Sequence, residues 1–223
     1  MRKFLTATLL CMALTVTMVP AAFAADTADS NYTTCMAAIQ EQKVIQDQAH
    51  QTAESLRQKG YDDSSAYIQA AQSTWWAAQD EIVAYQKLSQ YTDEDIRILT
   101  TAAFYQAGHT TEHLREYVAQ VAPNRLADSR FPDPVTAVIT QPGPHATKYA
   151  TQAATDSIKS ADSQNGTYYY AMCEAAVKKA MMGQVDMPSN VLYQANFAQG
   201  KGVWQSVYFN SGWYASTSYF FYG

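Results

Sequence analysis

Two histidines and a glutamate near the middle of the chain have the spacing of a metal site. His109, Glu112 and His113 match the H-x-x-E-H pattern, in which the histidines bind zinc and the glutamate acts as a base. However, Gly108 and the threonines at 110 and 111 indicate the end of one helix and the cap of the next. That boundary would separate His109 from the helix that carries His113, and no third ligand follows from the spacing. We therefore expect no metal site and keep a zinc metallopeptidase only as a remote alternative.

A longer set of short motifs lies between Tyr91 and Gln141. Its members, in order, are Asp95-Ile96, Phe104-Tyr105-Gln106-Ala107-Gly108, Val118 to Arg125, Arg130-Phe131-Pro132-Asp133 and Val138-Ile139-Thr140-Gln141. In order and spacing they resemble the SleB/CwlJ-type bacterial cell wall hydrolases, where the turn closing the helix reads hydrophobic-Tyr-x-Glu-Ala and an Asn-Arg pair follows eighteen residues after the Glu. Gln106 precedes Asn124 by eighteen residues. It therefore occupies the position of the family's catalytic Glu.

The exchange of Glu for Gln changes what this position can do. The family acts as a muramidase or lytic transglycosylase, which must protonate the leaving oxygen of a glycosidic bond with a carboxyl group of raised pKa. An amide has no such proton, and general acid catalysis typically contributes about 10²–10⁴-fold in rate. The resemblance thus implies a cell wall hydrolase-like protein that acts on or binds peptidoglycan glycan strands. The alternative is a catalytically inactive glycan-binding or regulatory paralogue.

The resemblance also suggests roles for residues around Gln106. Glu112 is a candidate substitute acid, although a Glu in the first turn of a helix usually faces the helix dipole. Asn124 and Arg125 are expected to tie loop backbone and helix ends together rather than to touch sugar. We expect Gln106 on the floor of an aromatic-lined cleft, with substrate-binding candidates at Tyr105, His145, Tyr193 and Phe197.

Two further residues depart from the family pattern. Pro123 stands inside the helix that leads to Asn124, and proline should end or kink a helix. Ser218 stands where the family often has a His.

The elements that must position these residues begin with a helical hairpin at 31–90. The segment is rich in Ala, Gln, Glu and Lys, and Gly60 supplies a helix stop. A heptad seam predicts the second helix, formed by Ile68, Ala71, Trp75, Ala78, Ile82 and Tyr85. The short connection makes the two helices antiparallel. Packing on the rest of the chain, self-association and a spacer role all remain open for this hairpin.

The sequence from residue 92 to residue 223 predicts an α+β, lysozyme-like domain that is mostly helical. Thr92 and Asp95 form a capping box for a helix that ends at Gly108, and another helix starts at 110 or 111. Further helices are expected at 134–140, about 146–160 and about 167–182. Gly turns around Val203-Trp204 and the last strand at 218–221 indicate a small C-terminal antiparallel sheet.

The N-terminus predicts export. Basic residues at 1–3, an apolar run at 4–19 and Ala22-Phe23-Ala24 are typical of a cleaved signal peptide. We therefore divide the chain into a signal peptide (1–24), the helical hairpin (25–91) and the hydrolase-like domain (92–223). The mature protein should be secreted to the cell envelope or outside the cell, without a stable membrane anchor. Cys35 and Cys173 would then permit one disulfide or remain as two buried free thiols.

Composition excludes one class of partner. The net charge of −5 provides no basic surface for nucleic acid, and no cofactor is expected. Sixteen tyrosines suit sugar stacking, but they suit cores and sheet surfaces equally well.

Overall fold

The computed structural model describes residues 29–139, 151–160, 164–197, 202–212 and 215–223. Within them, seven helices precede three strands, which confirms the α+β class and the small C-terminal antiparallel sheet. The predicted signal peptide and His145 lie outside the described residues. No helix among the described residues is long and apolar enough to cross a membrane. The elements are α1 (Ser30–Gln58), α2 (Ala66–Leu88), α3 (Asp93–Ala107), α4 (Glu112–Leu126), α5 (Val135–Ile139), α6 (Gln152–Lys159), α7 (Gln164–Met181), β1 (Val191–Ala195), β2 (Val203–Asn210) and β3 (Ala215–Tyr222).

The first two helices pack against each other as an antiparallel hairpin. Gly60 turns the chain with a φ of 88°, which a residue without a Cβ adopts at little cost. Ser65 then caps α2 by accepting a hydrogen bond from the Ile68 backbone N–H. Gln46 donates to Gln79 across the hairpin at 2.9 Å. The predicted seam on α2 is largely buried, which explains why two long helices of modest hydrophobicity associate.

The base of the hairpin is fastened to the rest of the chain. The Asn31 side chain donates to the carbonyls of Leu88 at 3.0 Å and Tyr91 at 2.7 Å. The Asp93 carboxylate accepts from the Ser30 backbone at 2.9 Å and hydroxyl at 2.6 Å. The start of α1 is therefore bonded to the start of α3, so the hairpin packs on the body at this end.

The main core lies between α3, α4 and α7, with the sheet against it. Cys35 and Cys173 both belong to this core and are free thiols in the structure, not a disulfide. Burial raises the pKa of the Cys173 thiol to about 12. Of the two alternatives that the sequence leaves open, the structure therefore has two buried free thiols.

The sequence predicts that helix α4 ends or kinks at Pro123. It continues through the proline to Leu126. Proline removes one backbone N–H from the helix. The turn that follows is held by Asn124 and Arg125, whose side chains both bind the backbone of the sheet region. Tertiary contacts thus outweigh the local preference of proline.

The three strands follow the order β1-β3-β2, and both pairs are antiparallel. Strand β3 is central, and its Phe220 is fully buried in the core. The ring of Tyr117 on α4 contacts Phe220 at 5.5 Å and Trp204 at 5.1 Å between centroids. The sheet is therefore held on α4, the helix that also carries the Asn-Arg pair.

Candidate functional site

Gln106 is the penultimate residue of α3 and is half-buried. The helix begins with the predicted capping box, in which Thr92 and Asp95 exchange side-chain to backbone hydrogen bonds. It ends in a tight turn, where the Gly108 N–H donates to the Phe104 carbonyl at 2.8 Å. A Cβ at Gly108 would lie 2.6 Å from that carbonyl oxygen. Glycine is therefore required at the turn that sets the end of α3.

The side of α3 on which Gln106 lies follows from the neighbouring contacts. Phe104 faces α7, since its ring lies 6.4 Å from that of Tyr170. Successive residues turn by about 100° around a helix, so Gln106 is rotated by roughly 200° from Phe104. The Gln106 side chain is thus directed away from α7.

The candidate substitute acid, Glu112, is the first residue of α4. Together with Glu116 it lines a cleft between α4 and α7. Glu116 is 6 % exposed and forms an ion pair with Lys179 of α7. Glu112 thus lines the cleft between α4 and α7, and its role as a substitute acid stays a prediction.

Four other carboxylates that lie near Gln106 in the sequence are further candidates for the acid. Asp93, Glu94 and Asp95 occupy the first turn of α3, about 20 Å from Gln106 at 1.5 Å per residue. Asp133 contributes, after desolvation and Asp95, to the raised pKa of Tyr91. The segment 140–150 contains no Asp or Glu in its sequence.

Asn124 and Arg125 connect α4 to the sheet through backbone carbonyls. The Asn124 amide donates to the carbonyls of Pro188 at 3.0 Å and Val191 at 2.9 Å, and its oxygen accepts from Gln120 at 2.9 Å. Arg125 Nε donates to the Leu192 carbonyl at 2.6 Å. These are the backbone-tying contacts that the sequence analysis expects of the pair.

Arg125 also organises two aromatic rings. Its guanidinium lies 5.1 Å from the centroid of Phe131 and 5.3 Å from that of Tyr193, and the two ring centroids are 6.1 Å apart. Burial lowers the pKa of Arg125, and the negative faces of aromatic rings offset part of the cost of burying its charge. Tyr193 remains 42 % exposed, so one aromatic surface here stays open to a ligand.

The other predicted aromatic residues are more dispersed. Phe197 follows β1 and is exposed, and Tyr105 is exposed on α3 with its ring 5.9 Å from that of Phe104. Among the described residues, no ring contact joins Tyr105 to Tyr193 or Phe197. The sequence analysis missed Phe131 as the partner of Tyr193. The only sequence signal for Phe131 was the Arg-Phe-Pro motif, and a motif does not show which other ring the phenylalanine contacts.

The two histidines of the zinc pattern point to different neighbours. The His109 ring contacts Phe104 at 5.4 Å and Tyr169 at 4.5 Å. His113 Nε2 instead forms a hydrogen bond of 3.1 Å with the Tyr117 hydroxyl, which lies on the same helix. Within the described ranges no three His, Cys, Asp or Glu side chains are grouped to hold a metal ion. The structure therefore gives no support to the zinc alternative.

Comparisons of the chain with protein-family models, curated proteins and solved structures found no match. The functional interpretation therefore rests on the motifs and on the geometry described above.

Proposed function

We propose that this protein is an exported, lysozyme-like relative of the SleB/CwlJ-type cell wall hydrolases that binds peptidoglycan glycan strands and has lost acid catalysis. The motif order supports the relationship. A capped helix ends at the position of the catalytic residue, the next helix ends in Asn-Arg, and that pair holds the small sheet.

The observation that carries the proposal is Gln106 itself. It stands at the end of α3 where the resemblance requires the acid, and Glu112 and Glu116 line the cleft between α4 and α7. A glycosidic oxygen at Gln106 would therefore meet an amide N–H. That group can donate a hydrogen bond but cannot transfer a proton.

Binding can persist without the acid. Gln has nearly the shape of Glu and offers both a donor and an acceptor. The exposed ring of Tyr193, held in place by Arg125 and Phe131, provides an apolar face with a polar edge, which suits the alternating faces of a sugar. Loss of the proton donor thus removes turnover without removing these contacts.

A gain-of-function variant tests the catalytic half of the proposal. Gln106→Glu should release muropeptides from purified peptidoglycan, with the greatest rate below neutral pH, because only a protonated carboxyl can act as the acid. Gln69→Glu, which makes the same change at an exposed position on α2, should release none. If the Gln106→Glu variant binds peptidoglycan but releases no muropeptides, the missing acid is not the only reason for inactivity, and the proposal in this form is wrong.

A loss-of-function variant tests the binding half. Tyr193→Ala should weaken sedimentation with insoluble peptidoglycan, since stacking on an aromatic ring is worth about 1 kcal/mol or more. Tyr208→Ala is the matched control, because Tyr208 is an exposed tyrosine on β2. Equal loss in both variants would mean that the effect is not specific to the surface beside Arg125.

A further inference from the structure

A connected group of aromatic rings lies where the end of α3 meets the start of α7. The ring of Phe104 contacts that of Tyr105 at 5.9 Å and that of His109 at 5.4 Å between centroids. His109 contacts Tyr169 at 4.5 Å, and Tyr169 contacts Tyr168 at 5.2 Å. We call these five residues the ring cluster. Two segments that are distant in sequence therefore meet through their aromatic side chains.

The ring cluster presents much of its surface to solvent. Tyr105 is 42 % exposed and Tyr168 is 57 % exposed. His109 is exposed as well, and Phe104 and Tyr169 are partly buried. Scattered surface aromatics need no explanation, but a contiguous exposed group is typical of a binding site.

The polar residues of the same two segments indicate an uncharged ligand. Residues 104–111 and 164–172 contain no Asp, Glu, Lys or Arg. They carry amides at Gln106 and Asn165 and hydroxyls at Thr110 and Thr167, each at least partly exposed. These groups donate and accept hydrogen bonds without a charge. A ligand with apolar faces and many hydroxyl groups fits this composition, and a neutral carbohydrate is such a ligand.

The ring cluster adjoins Gln106 at the end of α3. Phe104 faces α7, and each following residue is rotated by about 100° around the helix. Tyr105 therefore lies between the side of α3 that faces α7 and the side on which Gln106 lies. A chain of sugars at Gln106 thus has a path over Tyr105 toward the rings of α7.

We propose that the ring cluster is a stacking surface for an uncharged glycan chain and lengthens the site at Gln106 from one sugar to several. The rings of Tyr105 and Tyr168 contact the apolar faces of the sugars. The side chains of Asn165 and Thr110 exchange hydrogen bonds with sugar hydroxyl groups. The connection to Gln106 rests on the proposed function, whereas stacking on the ring cluster does not require it.

The length of the ligand gives the first test, on the full mature chain. Oligomers of N-acetylglucosamine with two and with six sugars carry no charge and serve as probes in calorimetric titrations. The hexamer should bind about tenfold more tightly than the dimer or better, because only the longer chain extends from Gln106 to Tyr168. Equal affinity for the two oligomers would contradict the proposal, and so would a hexamer that does not bind at millimolar concentration.

The variant Tyr168→Ala locates the stacking surface. Because Tyr168 is exposed, its loss leaves the core intact, and the variant should bind the hexamer about fivefold more weakly. Tyr67→Ala is the matched control, since Tyr67 is 59 % exposed on α2 and meets Tyr61 edge to face at 5.7 Å. The control should bind as the wild type does. Equal hexamer affinity in the two variants would show that the glycan does not stack on the ring cluster.

NMR of the histidine rings gives a local readout and separates two kinds of ligand. Aromatic surfaces also hold proline-rich peptides, so such a peptide is titrated beside the hexamer. The His109 resonances should shift with the hexamer, while those of His50, exposed on α1, should not. A shift of His109 with the peptide alone would identify a protein-binding surface and overturn the proposal.

These results are distinguishable from a failure of the proposed function. Wild-type protein that sediments with peptidoglycan while the hexamer leaves His109 unchanged would retain the proposed function and remove the ring cluster from it. Wild-type protein that does not sediment, together with weaker hexamer binding by Tyr168→Ala, would remove the proposed function and retain the ring cluster as a site for uncharged glycans.

Discussion

Helix α4 carries two buried arginines whose surroundings differ. Arg125, near its C-terminal end, donates to the Leu192 carbonyl and contacts the rings of Phe131 and Tyr193. Arg115, near its N-terminal end, meets two backbone carbonyls and retains a buried Nε without a partner. The ion pairs formed by arginines among the described residues involve Arg57, Arg97 and Arg130. Both α4 arginines are therefore stabilised by groups other than carboxylates.

The comparison separates an arginine with complete contacts from one with incomplete contacts. Arg125 has no buried nitrogen without a partner, and its contacts join α4 to the sheet, so its role is to fix the fold beside Tyr193. Arg115 keeps a buried Nε without a partner, so its contacts within the described residues are incomplete. We expect substitutions of Arg125 to lower stability more than substitutions of Arg115.

The largest effect is expected at Asn124, beside Arg125. Asn124→Ala should lower the free energy of unfolding by about 3 kcal/mol, because it removes the buried hydrogen bond to the Val191 carbonyl, one of the two donors to the Pro188 carbonyl, and the acceptor of the Gln120 amide. Urea denaturation measures this change. Asn196→Ala, at an exposed position after β1, is the control and should have little effect. A loss below about 1 kcal/mol at Asn124 would show that these contacts do not hold the sheet to α4.

Arg125→Lys should have the next largest effect. Lysine keeps the charge but lacks the planar guanidinium that donates to the Leu192 carbonyl while it contacts two rings, so we expect a loss of about 1–2 kcal/mol. Thermal denaturation and the accessibility of Tyr193 to solvent-borne quenchers report the two consequences. A variant as stable as the wild type would mean that Arg125 does not organise this surface.

Arg115→Met should change stability less than Arg125→Lys does. Replacing an incompletely satisfied buried charge with an apolar side chain of similar length is often neutral or stabilising, so we expect a change within about 1 kcal/mol. The same denaturation series measures it. A large loss of stability would place Arg115 in the structural class with Arg125 and remove the basis of the comparison.

The smallest effect is expected at Arg130, an exposed arginine that does have a carboxylate partner. Its hydrogen bond lowers the pKa of Asp128 from 3.8 to about 2. Because the folded-state pKa is depressed, this contact favours folding above pH 3.8 and loses its effect as the pH falls through 2. Arg130→Ala should return the Asp128 pKa towards 3.8 in a carboxyl NMR titration. An unchanged pKa would show that the pair does not persist in solution.

Much of the fold could be predicted from sequence because local signals marked it. The Thr92 capping box, the stop at Gly60 and the α2 seam specify helices and their ends through neighbouring residues alone. Pro123 was expected to end or kink α4. The helix continues past it, because contacts from Asn124 and Arg125 to a segment more than sixty residues away sustain the last turn of α4. The pairing status of Cys35 and Cys173 likewise depends on packing between distant helices.

The candidate site was predictable in its motifs but not in its neighbours. Spacing suggested roles for Gln106 and the Asn-Arg pair, and in the structure Asn124 and Arg125 donate to backbone carbonyls of residues 188–192. Sequence could not show that Glu112 faces α7, since this depends on how the α3–α4 turn directs the next helix. The unpaired Nε of Arg115 has no sequence signal, because burial and missing partners are properties of the packed chain.

The central claim, that the position of the catalytic acid now supports binding without cleavage, is tested most directly with the wild-type mature protein on purified peptidoglycan. A single incubation should be divided to measure the protein that sediments with the insoluble wall and the muropeptides released into solution. We predict that the protein sediments with the wall and that release stays at the level of a protein-free control. Release well above that control would show that another group supplies the proton, and failure to sediment would contradict glycan binding itself.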